Sequence, residues 1–357
     1  MSVLTYQHFL QAVHRVAATQ TSDDRISTID MHTEGEPLRV LMAVFPLGKE
    51  GVLPARRKFQ AQYDFLRTAL MWEPRGHTDM YGCVIVPPKD SGSDFGTFFL
   101  HNEGYSSMCG HAIIALATLF AKKGWGKVEE SITSLKIEVP AGVVHAFAQW
   151  ENDMVKRAFF DNGPSFVAGL DLPISLPSWG NISIDLSFGG AFYAYVDADQ
   201  MDLNLAPEHT QTLIQAGMEI KQAVANTYPD LIRHPTEPEL SFLYGTIFTS
   251  KTVFQNQESH SRHVCIFADG EVDRSPTGTG VSGRLAILYQ RGEIQLLEEV
   301  QIESILGSRF SGQIMASTHF GPHVAIIPRV GGRAWLTGEH SFYLDPEDPW
   351  RNGFLLK

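Results

Sequence analysis

The apolar and polar positions along the chain predict helices that alternate with strands. Apolar residues recur at helical spacing in residues 55–70, 110–122, 207–228 and 279–290. Short apolar or alternating runs are typical of strands, and they fall at residues 26–30, 38–45, 82–86, 95–101, 135–139, 143–150, 192–196 and 264–267. This interleaving predicts an α/β (α+β) fold.

A separate helical extension is predicted for residues 1–24, because Phe9, Val13 and Val16 recur at helical spacing ahead of the first strand. The chain has 357 residues. Since domains of about 150 residues are common, this length favours two domains.

Acidic residues outnumber basic ones, with 40 Asp and Glu against 28 Lys and Arg, and the net charge is −12. We therefore expect neither nucleic acid nor an anionic membrane as a partner. The longest apolar run, residues 112–121, is too short to span a bilayer.

Three cysteines predict no disulfide framework. With no signal peptide at the N-terminus, we expect a cytoplasmic protein.

Two helix starts share one local pattern. Each places a small nucleophilic side chain directly before a glycine, Cys109 before Gly110 and Thr277 before Gly278. The offset of 168 residues is close to one domain, which indicates a duplication with two similar lobes. A helix N-terminus presents unpaired N–H groups and a partial positive charge. Two such ends meeting across a cleft could hold a carboxylate from both sides.

Cys109 has several interpretations. A helix N-terminus lowers the pKa of a thiol, so Cys109 could be a base, a nucleophile or a metal ligand. His111 is close enough in sequence to pair with it. The metal role is disfavoured because no Cys-x-x-Cys or His-Glu-x-x-His spacing surrounds Cys109. The structural alternative is a buried core cysteine, which we predict for Cys83 and Cys265 inside apolar strands.

Asp273 lies four residues before Thr277, where it could be a turn residue, a helix-capping partner or a carboxylate that holds a substrate ammonium. The spacing of Gly278, Gly280 and Gly283 matches the dinucleotide fingerprint. That fingerprint needs a strand that runs straight into the first glycine, and polar residues intervene here. We therefore reject a nicotinamide site.

Five ordered motifs resemble the proline racemase family. They are Met31-His32-Thr33-Glu34-Gly35-Glu36-Pro37, Glu73-Pro74-Arg75-Gly76-His77-x-Asp79-Met80-x-Gly82, Met108-Cys109-Gly110-His111-Ala112, Phe188-Gly189-Gly190-x-Phe192-Tyr193 and Asp273-Arg274-Ser275-Pro276-Thr277-Gly278-Thr279-Gly280. The resemblance extends from about residue 26 to beyond residue 320, across nearly the whole folded chain.

The resemblance implies a diaminopimelate epimerase-like fold of two pseudo-symmetric lobes, each a curved sheet around a central helix, with the active site between them. The implied first lobe is residues 25–157 plus 339–357 and carries Cys109, whereas residues 158–338 form the second lobe. The resemblance further implies no metal, no pyridoxal phosphate and no nicotinamide. A homodimer is compatible with it.

Racemases of this family use two cysteines as opposed acid and base. Here the second position is Thr277, whose hydroxyl does not ionise near neutral pH, so two-base racemisation looks disabled. The Cys/Thr pairing is similar to the trans-3-hydroxy-L-proline dehydratases of the family. This implies that the Cys109 thiolate removes the α-proton as a general base.

By the same resemblance, the backbone N–H groups of Gly110, His111, Gly278 and Thr279 would hold the substrate carboxylate and stabilise developing charge. Asp273 and His111 would bind the ring nitrogen, and Thr277 would hydrogen-bond the departing hydroxyl. The product would be Δ1-pyrroline-2-carboxylate.

Two other functions stay open. One is an isomerase, a proline racemase or hydroxyproline epimerase in which another group replaces the missing base. The other is a non-catalytic relative that binds a carboxylate. The presence of Cys109, His111 and Asp273 argues against the binder, since loss of function would affect these residues as readily as Thr277.

Overall fold

A computed structural model describes residues 3–18, 25–250 and 260–356. The α-helices are α1 (Val3–Ala18), α2 (Val52–Met71), α3 (Gly110–Lys122), α4 (Thr210–Thr227) and α5 (Gly278–Gln290). The first strands are β1 (Arg25–Thr33), β2 (Glu36–Leu41), β3 (Tyr81–Val86), β4 (Phe95–His101), β5 (Tyr105–Ser106), β6 (Lys127–Glu129), β7 (Ile132–Val139), β8 (Gly142–Glu151) and β9 (Met154–Asp161). The later strands are β10 (Ser165–Leu176), β11 (Gly180–Phe188), β12 (Phe192–Asp197), β13 (Leu243–Ser250), β14 (Ser261–Phe267), β15 (Glu271–Val272), β16 (Glu299–Glu303), β17 (Arg309–Phe320), β18 (His323–Gly332) and β19 (Ala334–Tyr343). Short 3₁₀ turns occupy Ala198–Met201, Pro207–His209 and Pro238–Leu240.

The described residues divide into two compact units. The first unit falls within residues 1–160 and 333–357, and the second is residues 161–332. The lobe boundaries expected from the sequence, after residues 157 and 338, differ from these limits by three and six residues.

The sheet of the first unit has the strand order β8-β7-β4-β3-β2-β1-β19. Helix α3 contacts β1, β2, β7, β8 and β19, whereas α2 packs on β3, β4 and β7 and α1 contacts β4. Side chains of α3 are apolar on every face, and residues 110–121 are buried. A helix that is apolar all round is stable only when it is surrounded, which explains the position of α3 inside the unit.

The second unit is built on a closed ring of strands. Its order is β10-β11-β12-β13-β14-β16-β17-β18, and β18 pairs again with β10. Helix α5 is buried over residues 278–288 and contacts five consecutive strands of this ring, β17, β18, β10, β11 and β12. It therefore lies within the ring, and α4 packs on β13 and β14.

Three glycines explain how the second unit packs so closely around α5. A Cβ at Gly283 would lie 2.3 Å from the Tyr195 hydroxyl, and one at Gly280 would lie 2.4 Å from the Ile247 Cδ1 atom. A Cβ at Gly189 would lie 2.2 Å from a backbone carbonyl of α5. Two of the three glycines that matched the dinucleotide fingerprint, Gly280 and Gly283, are thus required by packing within the second unit.

The four predicted core helices are confirmed, with ends shifted by a few residues. The helix predicted within residues 1–24 is confirmed over Val3–Ala18, and residues 1, 2 and 19–24 lie outside the described part of the chain. The strand predicted for residues 38–45 is wrong beyond Leu41. Its last pair with β1 joins Leu41 to Thr28, and the Met42 N–H still donates to the Ser27 carbonyl at 2.9 Å. Beyond that bond the ladder ends, and Val44 is 47% exposed. No helix in the described part of the chain is long and apolar enough to cross a membrane.

Candidate active site

Cys109 is the N-cap residue of α3. Its backbone is extended, with φ −140° and ψ 106°, and its side chain makes no capping hydrogen bond. The carbonyl of Cys109 accepts the first helical bond from the Ile113 N–H, at 3.1 Å. The backbone of Cys109 is therefore unstrained. The residue is only 5% exposed.

The Cys109 Sγ atom lies 3.2 Å from the Nδ1 atom of His111. This distance allows a proton to pass between thiol and imidazole, and an imidazolium beside it would favour the thiolate. The sequence-based pairing of Cys109 with His111 is therefore present in the structure. It supplies the geometry that a general base needs.

Two residues that the site prediction did not include hold His111. The Thr33 hydroxyl donates to the His111 carbonyl at 2.8 Å. The Tyr81 ring meets the His111 ring edge-on, with centroids 4.8 Å apart, and the Tyr81 hydroxyl pairs with the Ser106 hydroxyl. Thr33 and Tyr81 fall inside or beside motifs that carried the family resemblance, and only that resemblance could have found them.

Thr277 is the N-cap residue of α5, with φ 65° and ψ 97°. A positive φ is an outlier for a β-branched residue and costs on the order of 1–3 kcal/mol. The carbonyl of Thr277 accepts from the Val281 N–H at 2.7 Å, and its N–H donates to the Ser275 hydroxyl at 3.2 Å. Its own Oγ1 is buried and has no hydrogen-bond partner in the described part of the chain.

An unpaired buried hydroxyl costs about 1–3 kcal/mol. At Thr277 this cost coincides with a positive φ. Strain and unsatisfied polar groups concentrate at functional sites. We therefore regard the Thr277 hydroxyl as a candidate ligand-binding group.

Asp273 forms the turn that leads to α5. Its N–H donates to the Cys265 carbonyl at 3.1 Å, and its Oδ1 accepts from the Ser275 N–H at 2.7 Å. The structure thus confirms the turn interpretation. The carboxylate is 5% exposed, and its role with a ligand stays a prediction.

Gly278 and Thr279 form the first turn of α5. The Thr279 hydroxyl is hydrogen-bonded to the Tyr193 hydroxyl at 2.7 Å, and both are buried. Burial raises the pKa of Tyr193 well above its ordinary value, so Tyr193 stays a neutral phenol. The Thr279 side chain is thus already hydrogen-bonded, and the candidate group for ligand contact is its backbone N–H.

Both helix starts favour an anion. Neither α3 nor α5 has an acidic residue in its first turn, so no side chain there offsets the partial positive charge of the helix end. The N–H groups of the first turn have no partners within a helix. Each unit therefore offers a site for one side of a carboxylate.

The other two cysteines are structural. Cys83 and Cys265 are fully buried, as predicted. Burial raises the pKa of the Cys83 thiol to about 12, so it is protonated at neutral pH.

The structure distributes the predicted residues over its two units. Cys109, Gly110 and His111 belong to the first unit, whereas Asp273, Thr277, Gly278 and Thr279 belong to the second. Among the described residues of either unit taken alone, no three His, Cys, Asp or Glu side chains gather at metal-coordinating distance.

The fold and the two helix starts define an α+β protein with candidate anion sites and one thiol–imidazole pair. Residues 28–355 match the family described as proline racemase. The chain therefore belongs to the proline racemase family, and the resemblance inferred from the five motifs is confirmed.

Curated relatives and a solved structure agree with this assignment. A protein of Colwellia psychrerythraea named trans-3-hydroxy-L-proline dehydratase is 46% identical, over 93% of this chain and 93% of its own. A protein of Burkholderia multivorans named 3-hydroxyproline 2-epimerase is 39% identical, over 93% of this chain and 98% of its own. The structure of a hydroxyproline epimerase from Agrobacterium vitis, with bound trans-4-hydroxy-L-proline, matches with a TM-score of 0.85 at 30% identity and covers 94% of this chain and 96% of its own.

Proposed function

We propose that the protein is a trans-3-hydroxy-L-proline dehydratase, a hydro-lyase that needs no cofactor. The observation that carries the proposal is the asymmetry of the two helix starts. One has a thiol 3.2 Å from an imidazole, and the other has an unpaired hydroxyl that cannot serve as a base at neutral pH. The name of the Colwellia relative supports the same activity.

The reaction begins when the Cys109 thiolate removes the α-proton of the substrate and becomes a thiol. The electron pair of the broken C–H bond forms a double bond between the α-carbon and C3. The C3–O bond breaks, and the hydroxyl leaves with a proton as water. The resulting enamine takes up a proton at C3 and loses the proton on its ring nitrogen to solvent, which gives Δ1-pyrroline-2-carboxylate.

Removal of an α-proton places negative charge on the substrate carboxylate. The N–H groups of Gly110 and His111 on α3, and of Gly278 and Thr279 on α5, would stabilise that charge. This requires the two helix starts to face each other across one site between the lobes. We propose this arrangement, with each lobe formed around its central helix as in diaminopimelate epimerase-like proteins.

Asp273 and His111 would bind the ring nitrogen in this site. Thr277 would donate its hydroxyl to the leaving group or to a water that protonates it. This role uses the only polar atom of the Thr277 side chain, which is unpaired within the described residues. The expected homodimer and the expected cytoplasmic location stay predictions.

An epimerase is the second candidate, because a 39% identical relative carries the name 3-hydroxyproline 2-epimerase. Epimerisation needs a proton donor on the face opposite Cys109. A water held by Thr277 would have to supply it. The two candidates differ in whether the C3 hydroxyl is lost.

Proton NMR of the protein with trans-3-hydroxy-L-proline tests the proposal. We expect the substrate signals to disappear as those of Δ1-pyrroline-2-carboxylate grow. L-Proline, which lacks the hydroxyl, is the matched control and should give no such product. A substrate that keeps its hydroxyl while its α-carbon inverts would establish the epimerase instead, and an unchanged spectrum would refute both assignments.

A further inference from the structure

The second unit contains a cavity of about 430 Å³ that the proposed reaction does not use. This size is within the range of small-molecule sites. Its walls come from strands β10 to β14 and from the middle and end of α5, where Arg284 and Arg291 lie. Tyr195 also lines it, and the Tyr195 hydroxyl donates to the Gly280 carbonyl in the first turn of α5, at 2.7 Å.

Arg284 is the unusual residue of this cavity. Its side chain lines the cavity although the residue is only 9% exposed. Its Nε atom has no hydrogen-bond partner in the part of the chain that the structure describes. The Ser261 hydroxyl, which lines the same cavity and is fully buried, has none there either.

A buried guanidinium that lacks a hydrogen-bonded anion is costly, because burial removes its hydration. The other arginine of the cavity is not in this state. Arg291 donates to Asp171 and Asp185, each at 2.8 Å. Arg284 is therefore the cation that can receive a ligand carboxylate, and a guanidinium binds a carboxylate with two parallel hydrogen bonds.

The remaining charges exclude a simple anion. Five acidic side chains line the cavity against two arginines, namely Asp171, Asp185, Asp197, Asp199 and Glu293. An anion alone would be repelled by this excess. A diamine alone would suit the acids, but the Arg284 guanidinium would still lack a hydrogen-bonded carboxylate among the described residues, since Glu293 and Asp185 act on it only through their charges. Only a ligand with a carboxylate and more than one cationic group matches both the Arg284 guanidinium and the acidic side chains.

We propose that this cavity binds a cationic amino acid, with its carboxylate on Arg284 and its two cationic groups toward the acidic side chains. L-Lysine, L-ornithine and L-arginine share this chemistry. The site is separate from the residues that the dehydratase proposal uses, so either proposal can fail without the other.

Isothermal titration calorimetry of the full-length protein with L-lysine tests the site. We expect one L-lysine per chain. Cadaverine lacks the carboxylate, and 6-aminohexanoate lacks the α-ammonium. Both should therefore bind with an affinity at least about tenfold lower than that of L-lysine. No heat from L-lysine at 10 mM (roughly the limit of weak specific binding), or cadaverine binding as tightly as L-lysine, would overturn the proposal.

Variants locate the binding. Arg284→Met should weaken L-lysine binding about tenfold or more. Because Arg284 is buried, Asp197→Asn provides a second test at an exposed position. Asp197 caps a 3₁₀ turn by accepting from the Asp199 N–H, and asparagine preserves that bond while it removes the charge.

Glu208→Gln is the matched control, since Glu208 is exposed in the same unit and does not line the cavity. It should bind L-lysine like the unchanged protein. Binding that survives both Arg284→Met and Asp197→Asn would place L-lysine elsewhere and overturn the proposal.

Discussion

The starts of α3 and α5 are built alike but are stabilised differently. Both helices are buried in their units, and both begin after a small nucleophilic side chain without an acidic first turn. Cys109 has an ordinary extended backbone and an imidazole neighbour. Thr277 has a strained backbone and an unpaired hydroxyl. The first start thus combines a thiol with an imidazole, whereas the second has only a hydroxyl.

The largest expected effect comes from the base. Cys109→Ala should lower the dehydration rate about 10³-fold or more, because general base catalysis supplies roughly 10²–10⁴. Initial rates of product formation measure this, and the far-ultraviolet circular dichroism of the variant should be unchanged. A rate within about threefold of the unchanged protein would remove Cys109 from the reaction.

Thiol labelling compares Cys109 with the structural cysteines. Because the folded-state pKa of Cys83 is raised to about 12, its thiolate is scarce at pH 8 and appears only as pH approaches 12. We expect iodoacetamide at pH 8 to modify Cys109 first and to leave Cys83 and Cys265 intact. Peptide mass spectrometry identifies the site, and faster labelling of Cys83 would contradict the assignment.

Thr277→Cys would make the two helix starts alike. A second thiol supplies the acid that epimerisation needs, so the variant should release an epimerised substrate. Dehydration should fall about tenfold, since the hydroxyl that assists the leaving group is lost. Chiral chromatography of the remaining substrate detects the epimer. Thr277→Ser, which keeps a hydroxyl, is the matched control and should retain dehydration without epimer.

The smallest effect concerns stability. Glycine accepts a positive φ without strain, whereas at an ordinary extended position it costs about 0.5–1 kcal/mol. Each variant changes the free energy of unfolding relative to the unchanged protein. The change for Thr277→Gly should be more stabilising than the change for Cys109→Gly by about 1–2 kcal/mol. Urea denaturation measures both variants. Equal changes would mean that the φ of 65° at Thr277 stores no strain.

The sequence predicts both helix starts well, because a glycine after a small side chain and ahead of an apolar run is a local signal. The all-round apolar pattern of α3 also indicates its central position. The partners of the site are harder to predict. Thr33 and Tyr193 reach His111 and Thr279 from strands that are far away in sequence, and no local pattern encodes such contacts.

The strands near the C-terminus show a second limit. Strands β16 to β19 were not predicted from the sequence. β19 is mostly exposed or half-buried along its length, so its alternation of apolar and polar residues is weak. The place of β19 is fixed by its pairing with the distant strand β1. The positive φ of Thr277 was also beyond prediction, since threonine rarely adopts it.

The central claim is that one base, Cys109, works on one face of the substrate. The most direct test is the configuration of the substrate recovered after partial reaction of trans-3-hydroxy-L-proline in deuterated water. A single base can return a proton or deuteron only to the face from which it came. We therefore predict that all recovered substrate keeps the L configuration at the α-carbon, whether or not it carries deuterium. Recovery of the D epimer, cis-3-hydroxy-D-proline, would show a second acid on the opposite face and contradict the account.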